Sequence, residues 1–185
     1  MKLRPEEKAF LRQLALAAVE AAVRRLDPPD PHQLAQKEGL ELGPRLLAPS
    51  GVFVTLHRQD QLRGCIGYIE GHRPLVDAVV DNGRSAAVKD PRFTPVTEAE
   101  LPSLTVELSV LTPLEPVAGP EEIVIGQHGI VLNIRGQRAV FLPQVATEQG
   151  WDLATTLGHL SLKAGAGPQD WQEGAIFQVF EAEVF

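Results

Sequence analysis

The stretch Gly51-Val52-Phe53-Val54-Thr55-Leu56-His57-Arg58-Gln59-Asp60-Gln61-Leu62-Arg63-Gly64-Cys65-Ile66-Gly67-Tyr68-Ile69 decides the fold. Both flanks carry β-branched and aromatic residues, and the polar run Arg58-Gln59-Asp60-Gln61 between them reads as a turn, so the segment predicts a β-hairpin. Downstream, Pro74 opens a predicted helix carrying Leu75, Val79, Gly83 and Ala86-Ala87. It stops at Asp90-Pro91, because a residue before proline avoids helical geometry. A strand is expected from Leu104 to Leu111. The same order then recurs. Residues 129–134 lead through Arg135-Gly136-Gln137-Arg138 into Ala139-Val140-Phe141-Leu142, a second predicted hairpin. A helix with Leu153, Leu157, Leu160 and Ala164 on one face follows, closed by Lys163 and Gly165. One strand, Ala175 to Val184, ends the chain. Strand, turn, strand, helix, strand thus occurs twice, with little residue identity, which raises the idea of an internal repeat.

Upstream, Pro5 with Glu6 and Glu7 makes a favourable first turn, and Phe10, Leu14, Ala17 and Ala21 recur at helical spacing. That helix is expected to reach about Leu26, before Pro28-Pro29. Proline and glycine then punctuate the chain as far as Ser50, leaving room for one short helical turn near Gln33 to Lys37. Hairpins pair adjacent strands antiparallel, and only two long helices fall between strands. The pattern therefore predicts an α+β fold, mainly antiparallel sheets with flanking helices, and not a doubly wound parallel sheet.

With 185 residues the chain corresponds to one domain, or two small lobes sharing a core. Hydrophobic residues at 44% and charged residues at 22% place it among packed globular proteins. A net charge of −7 disfavours nucleic acid and anionic membrane surfaces as partners. A single cysteine rules out an intrachain disulfide and fits a reducing, cytoplasmic setting. Acidic residues near the start, and the lack of an apolar run of about 20 residues, argue against a signal peptide or a membrane span.

Chemistry centres on Leu62-Arg63-Gly64-Cys65-Ile66-Gly67. A two-residue period sends Arg63 and Cys65 to one face, with Leu62, Ile66 and Tyr68 on the other. A guanidinium beside a thiol favours the nucleophilic thiolate, and Gly64 and Gly67 would let a ligand approach. The plainer alternative makes Cys65 a small buried hydrophobe and Arg63 a cap for a neighbouring carbonyl. The five histidines, His32, His57, His72, His128 and His159, lack metal spacing, and no CxxC or HExxH pattern exists, so neither metal nor cofactor is expected. His128, in Gly126-Gln127-His128-Gly129, is a turn residue or a candidate base. Glu148, Trp151 and Asp152 stand where a loop enters the third long helix, either as capping residues or as the lining of a cleft. Arg92, in Asp90-Pro91-Arg92-Phe93, either pairs with a nearby carboxylate or binds a ligand.

Taken together, the LRGCIG hexapeptide, Asp90 to Pro95, Gly126 to Ile130 and Leu142 to Asp152 closely resemble the AMMECR-one domain family in order and spacing. The recognisable blocks cover Phe53 to Lys163. The resemblance implies two unequal lobes within one domain, approximately 51–111 and 112–185, with helix 5–26 on the larger lobe, which holds both termini. It also implies a cavity into which the hexapeptide projects. It implies no reaction. Prokaryotic members resemble component A of the AmmeMemoRadiSam set, beside a Memo-type protein and a radical-SAM protein.

Two functions follow as expectations. One is a small-ligand-binding protein or enzyme working in a cleft, with Cys65 as nucleophile, Arg63 stabilising thiolate or a carboxylate, and His128 or Glu148 accepting a proton. Gly64, Gly67, Arg92, Trp151 and Asp152 would line its ligand site. The other is a non-catalytic adaptor for the Memo-type and radical-SAM partners.

Overall fold

A computed structural model describes residues 2–185. In chain order the elements are α1 (Pro5–Val23), α2 (Pro31–Glu38), α3 (Pro44–Leu47), β1 (Val52–Arg58), β2 (Gln61–Tyr68), α4 (Leu75–Val88), β3 (Leu104–Leu111) and β4 (Glu115–Val117). They continue as β5 (Gly129–Ile134), β6 (Gln137–Phe141), α5 (Pro143–Gln149), α6 (Leu153–Lys163), β7 (Ile176–Phe180) and β8 (Ala182–Val184). The expected α+β, antiparallel architecture is present. The strands form two four-stranded sheets, ordered β2-β1-β3-β8 and β4-β7-β5-β6. Each sheet has the first strand of a hairpin inside, the second at an edge, and the post-helix strand on its other side, so the recurring pattern in the sequence reappears as a shared strand order.

The chain divides into two units, Met1–Leu111 with Glu183–Phe185, and Thr112–Ala182. In the first, Val52, Val54 and Leu56 of β1 and Leu108 and Val110 of β3 turn one sheet face toward Leu11, Leu14 and Ala18 of α1 and Leu75 and Val79 of α4. In the second, Ile130, Leu132 and Ile134 of β5 and Phe177 and Val179 of β7 pack against Leu157 and Leu160 of α6. The two hairpins share a turn chemistry. Gln59 and Asp60 (φ 52° and 63°) and Arg135 and Gly136 (φ 49° and 77°) are two-residue turns with both φ positive, the geometry that matches the right-handed twist of the strands.

Four expectations need correction. α1 ends at Val23, three residues short of Leu26, because Arg25 adopts φ 57° and the Leu26 N–H folds back to the Ala21 carbonyl at 2.8 Å. Residues 143–149 form helix α5, with Pro143 at its first position and Gly150 as a left-handed stop (φ 67°), so Glu148 lies on a helix and not in a loop. The expected strand from Ala175 to Val184 is two strands in different sheets. At the break, Thr112 and Glu181 hold each other through Thr112 N–H to the Glu181 carbonyl and Glu181 N–H to Thr112 Oγ1, both 2.9 Å. Beyond it, Leu108 and Phe185 exchange both backbone hydrogen bonds, the mark of an antiparallel pair. The fourth correction is a β-bulge. Leu56 opposes Gly64 but His57 opposes Leu62, which leaves Arg63 as the extra residue and turns Leu62 out to solvent, away from the core that Ile66 and Tyr68 join.

Candidate functional site

Cys65 lies in the middle of β2, an edge strand of the first unit's sheet, directly opposite Thr55. Its thiol accepts a hydrogen bond from Thr55 Oγ1 at 3.3 Å. Its backbone amide and carbonyl point away from β1, where an edge strand would otherwise offer free groups to another chain. Here they are taken. The Cys65 N–H donates to Asp90 Oδ2 at 2.8 Å, and the Cys65 carbonyl accepts from Arg92 Nη2 at 3.3 Å. Asp90 and Arg92 grip each other in turn through Nε to Oδ1 at 3.0 Å and Nη2 to Oδ2 at 2.7 Å. Two side chains of the Asp90-Pro91-Arg92 turn thus stand in for a neighbouring strand.

The Asp90 carboxylate is 2% exposed, while its arginine partner remains 55% exposed. The bonds from Arg92 hold the Asp90 carboxyl far below the usual carboxylate range; burial opposes them, and the Cys65 N–H adds to them. Arg92 therefore serves as the partner of its own turn's carboxylate.

Arg63, re-aimed by the bulge, is more fully engaged. Its Nε and Nη2 clasp both oxygens of Glu100 at 2.8 and 3.2 Å, and Nη1 donates to the Thr94 carbonyl at 2.9 Å. Glu100 also accepts the Thr97 N–H and hydroxyl, both at 2.9 Å, which caps the 3₁₀ turn Glu98–Ser103. Led by the Arg63 bond, these contacts pull the Glu100 carboxyl down to about 2. The Phe93 ring lies 6.0 Å from the Arg63 guanidinium and 5.5 Å from that of Arg92.

The two glycines are not open ground for a ligand. A Cβ on Gly64 would stand 2.3 Å from the Ala86 carbonyl oxygen of α4, and one on Gly67 would stand 2.4 Å from the Phe53 ring and the Val52 carbonyl. Both positions are filled by the protein itself, so close packing accounts for them. The commitment of Arg63 has a testable consequence. Alkylation of Cys65 at neutral pH is expected to stay within about twofold of the native rate in Arg63→Gln, whereas an arginine that sustained the thiolate would lose more than that on removal.

His128, Glu148, Trp151 and Asp152 belong to the second unit. His128 closes a turn. Its N–H donates to the Val124 carbonyl at 2.9 Å and its Nδ1 accepts the Val124 N–H at 3.1 Å, which uses the ring's acceptor nitrogen and disfavours it as a base. Asp152 caps α6 by accepting the Thr155 N–H at 2.8 Å, and that contact lowers its carboxyl. Glu148 is exposed on α5. Trp151 stacks on His159, with ring centroids 4.0 Å apart, and meets Phe141 at 6.0 Å. Among the described residues, no three His, Cys, Asp or Glu side chains gather to hold a metal ion, and no helix is long and apolar enough to cross a membrane.

Sequence reasoning missed Glu100, Thr55 and the reach of Asp90. Glu100 was within reach, since Thr97-Glu98-Ala99-Glu100 is a capping-box pattern.

A mixed fold of two antiparallel sheets, with a hexapeptide strand latched by an Asp-Pro-Arg turn, is the setting in which the comparisons fall. The AMMECR1 family profile matches residues 12–185, and the chain belongs to that family. A Methanopyrus kandleri protein is 40% identical, over 100% of this chain and 90% of its own length. A Methanosarcina barkeri protein is 39% identical, over 94% and 86%. The crystal structure of an uncharacterised Pyrococcus horikoshii protein has the same fold, with a TM-score of 0.83 and 35% identity across 100% of this chain and 93% of that one.

Proposed function

We propose that this AMMECR1-family chain works by non-covalent recognition and not by thiol chemistry, as a module that docks a protein partner. The Memo-type and radical-SAM proteins that the family resemblance implies are the partners to test. One observation carries the reading: the arginine beside the thiol is already spent on Glu100 and the Thr94 carbonyl. The thiol's side-chain neighbours are a threonine hydroxyl and the Arg92 guanidinium, the latter held first by Asp90, and neither is a base. What the hexapeptide and its latch supply is order. Arg92 is anchored on Asp90 yet more than half exposed, and Thr94 and Pro95 beside it face solvent. A loop fixed before binding loses little conformational entropy when a partner arrives.

The test is calorimetric titration of a Memo-type or radical-SAM partner into the full chain. Cys65→Ala is expected to keep the affinity within about twofold, while Asp90→Ala, which frees the loop, weakens it by about fivefold or more. A tenfold loss on Cys65→Ala would return the thiol to the centre of the function.

A further inference from the structure

A cleft of about 440 Å³ opens within the first unit, between the end of α1, Tyr68 of β2 and α4, whose Asp81, Asn82, Arg84 and Ser85 line it together with Lys89 just past the helix end. Some of these polar groups are occupied. Asn82 donates to the Val52 carbonyl at 3.0 Å, and Asp81 is ion-paired with Arg73. Others are not. The side chains of Arg84, Ser85 and Lys89 make no hydrogen bond or ion pair among the described residues. Arg84 Nη1 and the Tyr68 hydroxyl are also shut off from solvent without any hydrogen-bond partner. Unpaired buried donors are costly, and native proteins satisfy nearly all of them. Two such donors on residues bordering one cleft mark a place where the chain alone leaves hydrogen bonding unfinished.

We infer that this cleft binds the oxyanion of a small soluble molecule, a phosphate or a carboxylate, with Arg84 as its charge partner and Tyr68, Ser85 and Lys89 as further donors. The charge balance supports an anion. Arg84 and Lys89 border the cleft unpaired, and Arg73 offsets Asp81, within a chain whose net charge is −7. A guanidinium presents parallel N–H donors that match two oxygens of a phosphate or carboxylate. Burial pushes the Tyr68 hydroxyl up, so it stays protonated and donates. The volume falls within the range of about 300–1,000 Å³ typical of small-molecule sites. Neither Cys65 nor the latched loop takes part, so the site stands or falls independently of partner docking.

The experiment titrates the full chain with inorganic phosphate and, separately, succinate, at ionic strength fixed with sodium chloride. One-to-one saturable binding of at least one probe is expected, and the probe that saturates tells which oxyanion the site takes. Arg84→Gln is expected to weaken it about tenfold. In the native protein the same probe should shift the amide resonances of Tyr68, Arg84, Ser85 and Lys89, a readout that holds even if the variant fails to fold. No saturation by either probe up to about 50 mM, well beyond the millimolar end of the affinity scale, would overturn the inference. So would equal affinity in Arg84→Gln, or shifts confined elsewhere.

Discussion

Replacing Gly64 by alanine is expected to destabilise the first unit by about 3 kcal/mol, the upper part of the overpacking range. The new Cβ would lie 2.3 Å from the Ala86 carbonyl oxygen and 3.2 Å from its carbon. These are backbone atoms near the C-terminal end of α4, so no side chain can swing aside. Relief would require α4 to lift from β2, yet Leu75, Ala78 and Val79 on that helix are fully buried in the core. Thermal unfolding followed by circular dichroism should show a midpoint lowered by roughly 6–12 °C for a chain of this size. A shift under about 3 °C would mean that helix and strand separate easily and that the close approach is not structural.

The contact between Gly64 and Ala86 also marks where sequence reading stops. The β-branched and aromatic residues of 52–56 and the helical spacing from Leu75 to Ala86 announce β1 and α4, because such residues suit a pleated strand and one buried helix face. The place where the two elements touch depends on tertiary packing, so the glycine read as room for a ligand when it is room for a carbonyl. The bulge at Arg63 is hidden for a related reason: a two-residue period does not hold through a strand that gains one residue. Helix α5 has seven residues, too short for a periodic signal, and β7 and β8 are both extended, so nothing local announces a change of sheet at Glu181. Local motifs fared better. Asp152 is the cap that one of its two readings suggested, while the capping box from Thr97 to Glu100 is equally local and stands outside the motifs singled out above. Asp90-Pro91 reads as a turn, but its grip on Cys65, 25 residues earlier, is a long-range fact.

That grip should govern behaviour in acid. Asp90→Ala is expected to cost about 2–3 kcal/mol at pH 7, since it leaves the Cys65 N–H and the Arg92 guanidinium without their shared acceptor. The upper end of the buried-pair range does not apply, because Arg92 is 55% exposed and water can rehydrate it. The folded state holds the Asp90 carboxyl well below the ordinary value of about 3.9, so at low pH the unfolded chain binds the extra proton. The carboxylate's contribution is therefore complete above about pH 4 and drains away as pH falls through the depressed folded value. Glu100, held at about 2 by Arg63, follows the same course. Native stability should decline steeply from about pH 4 downward, and the gap between native and Asp90→Ala should narrow over that interval, because the variant has no such carboxylate to titrate. Urea denaturation of both proteins at steps between pH 7 and pH 2 measures that gap directly. A gap that stayed constant across the series would show that Asp90 holds β2 through its shape and not its charge, and the latch would have to be explained by packing of the Asp90-Pro91 turn alone.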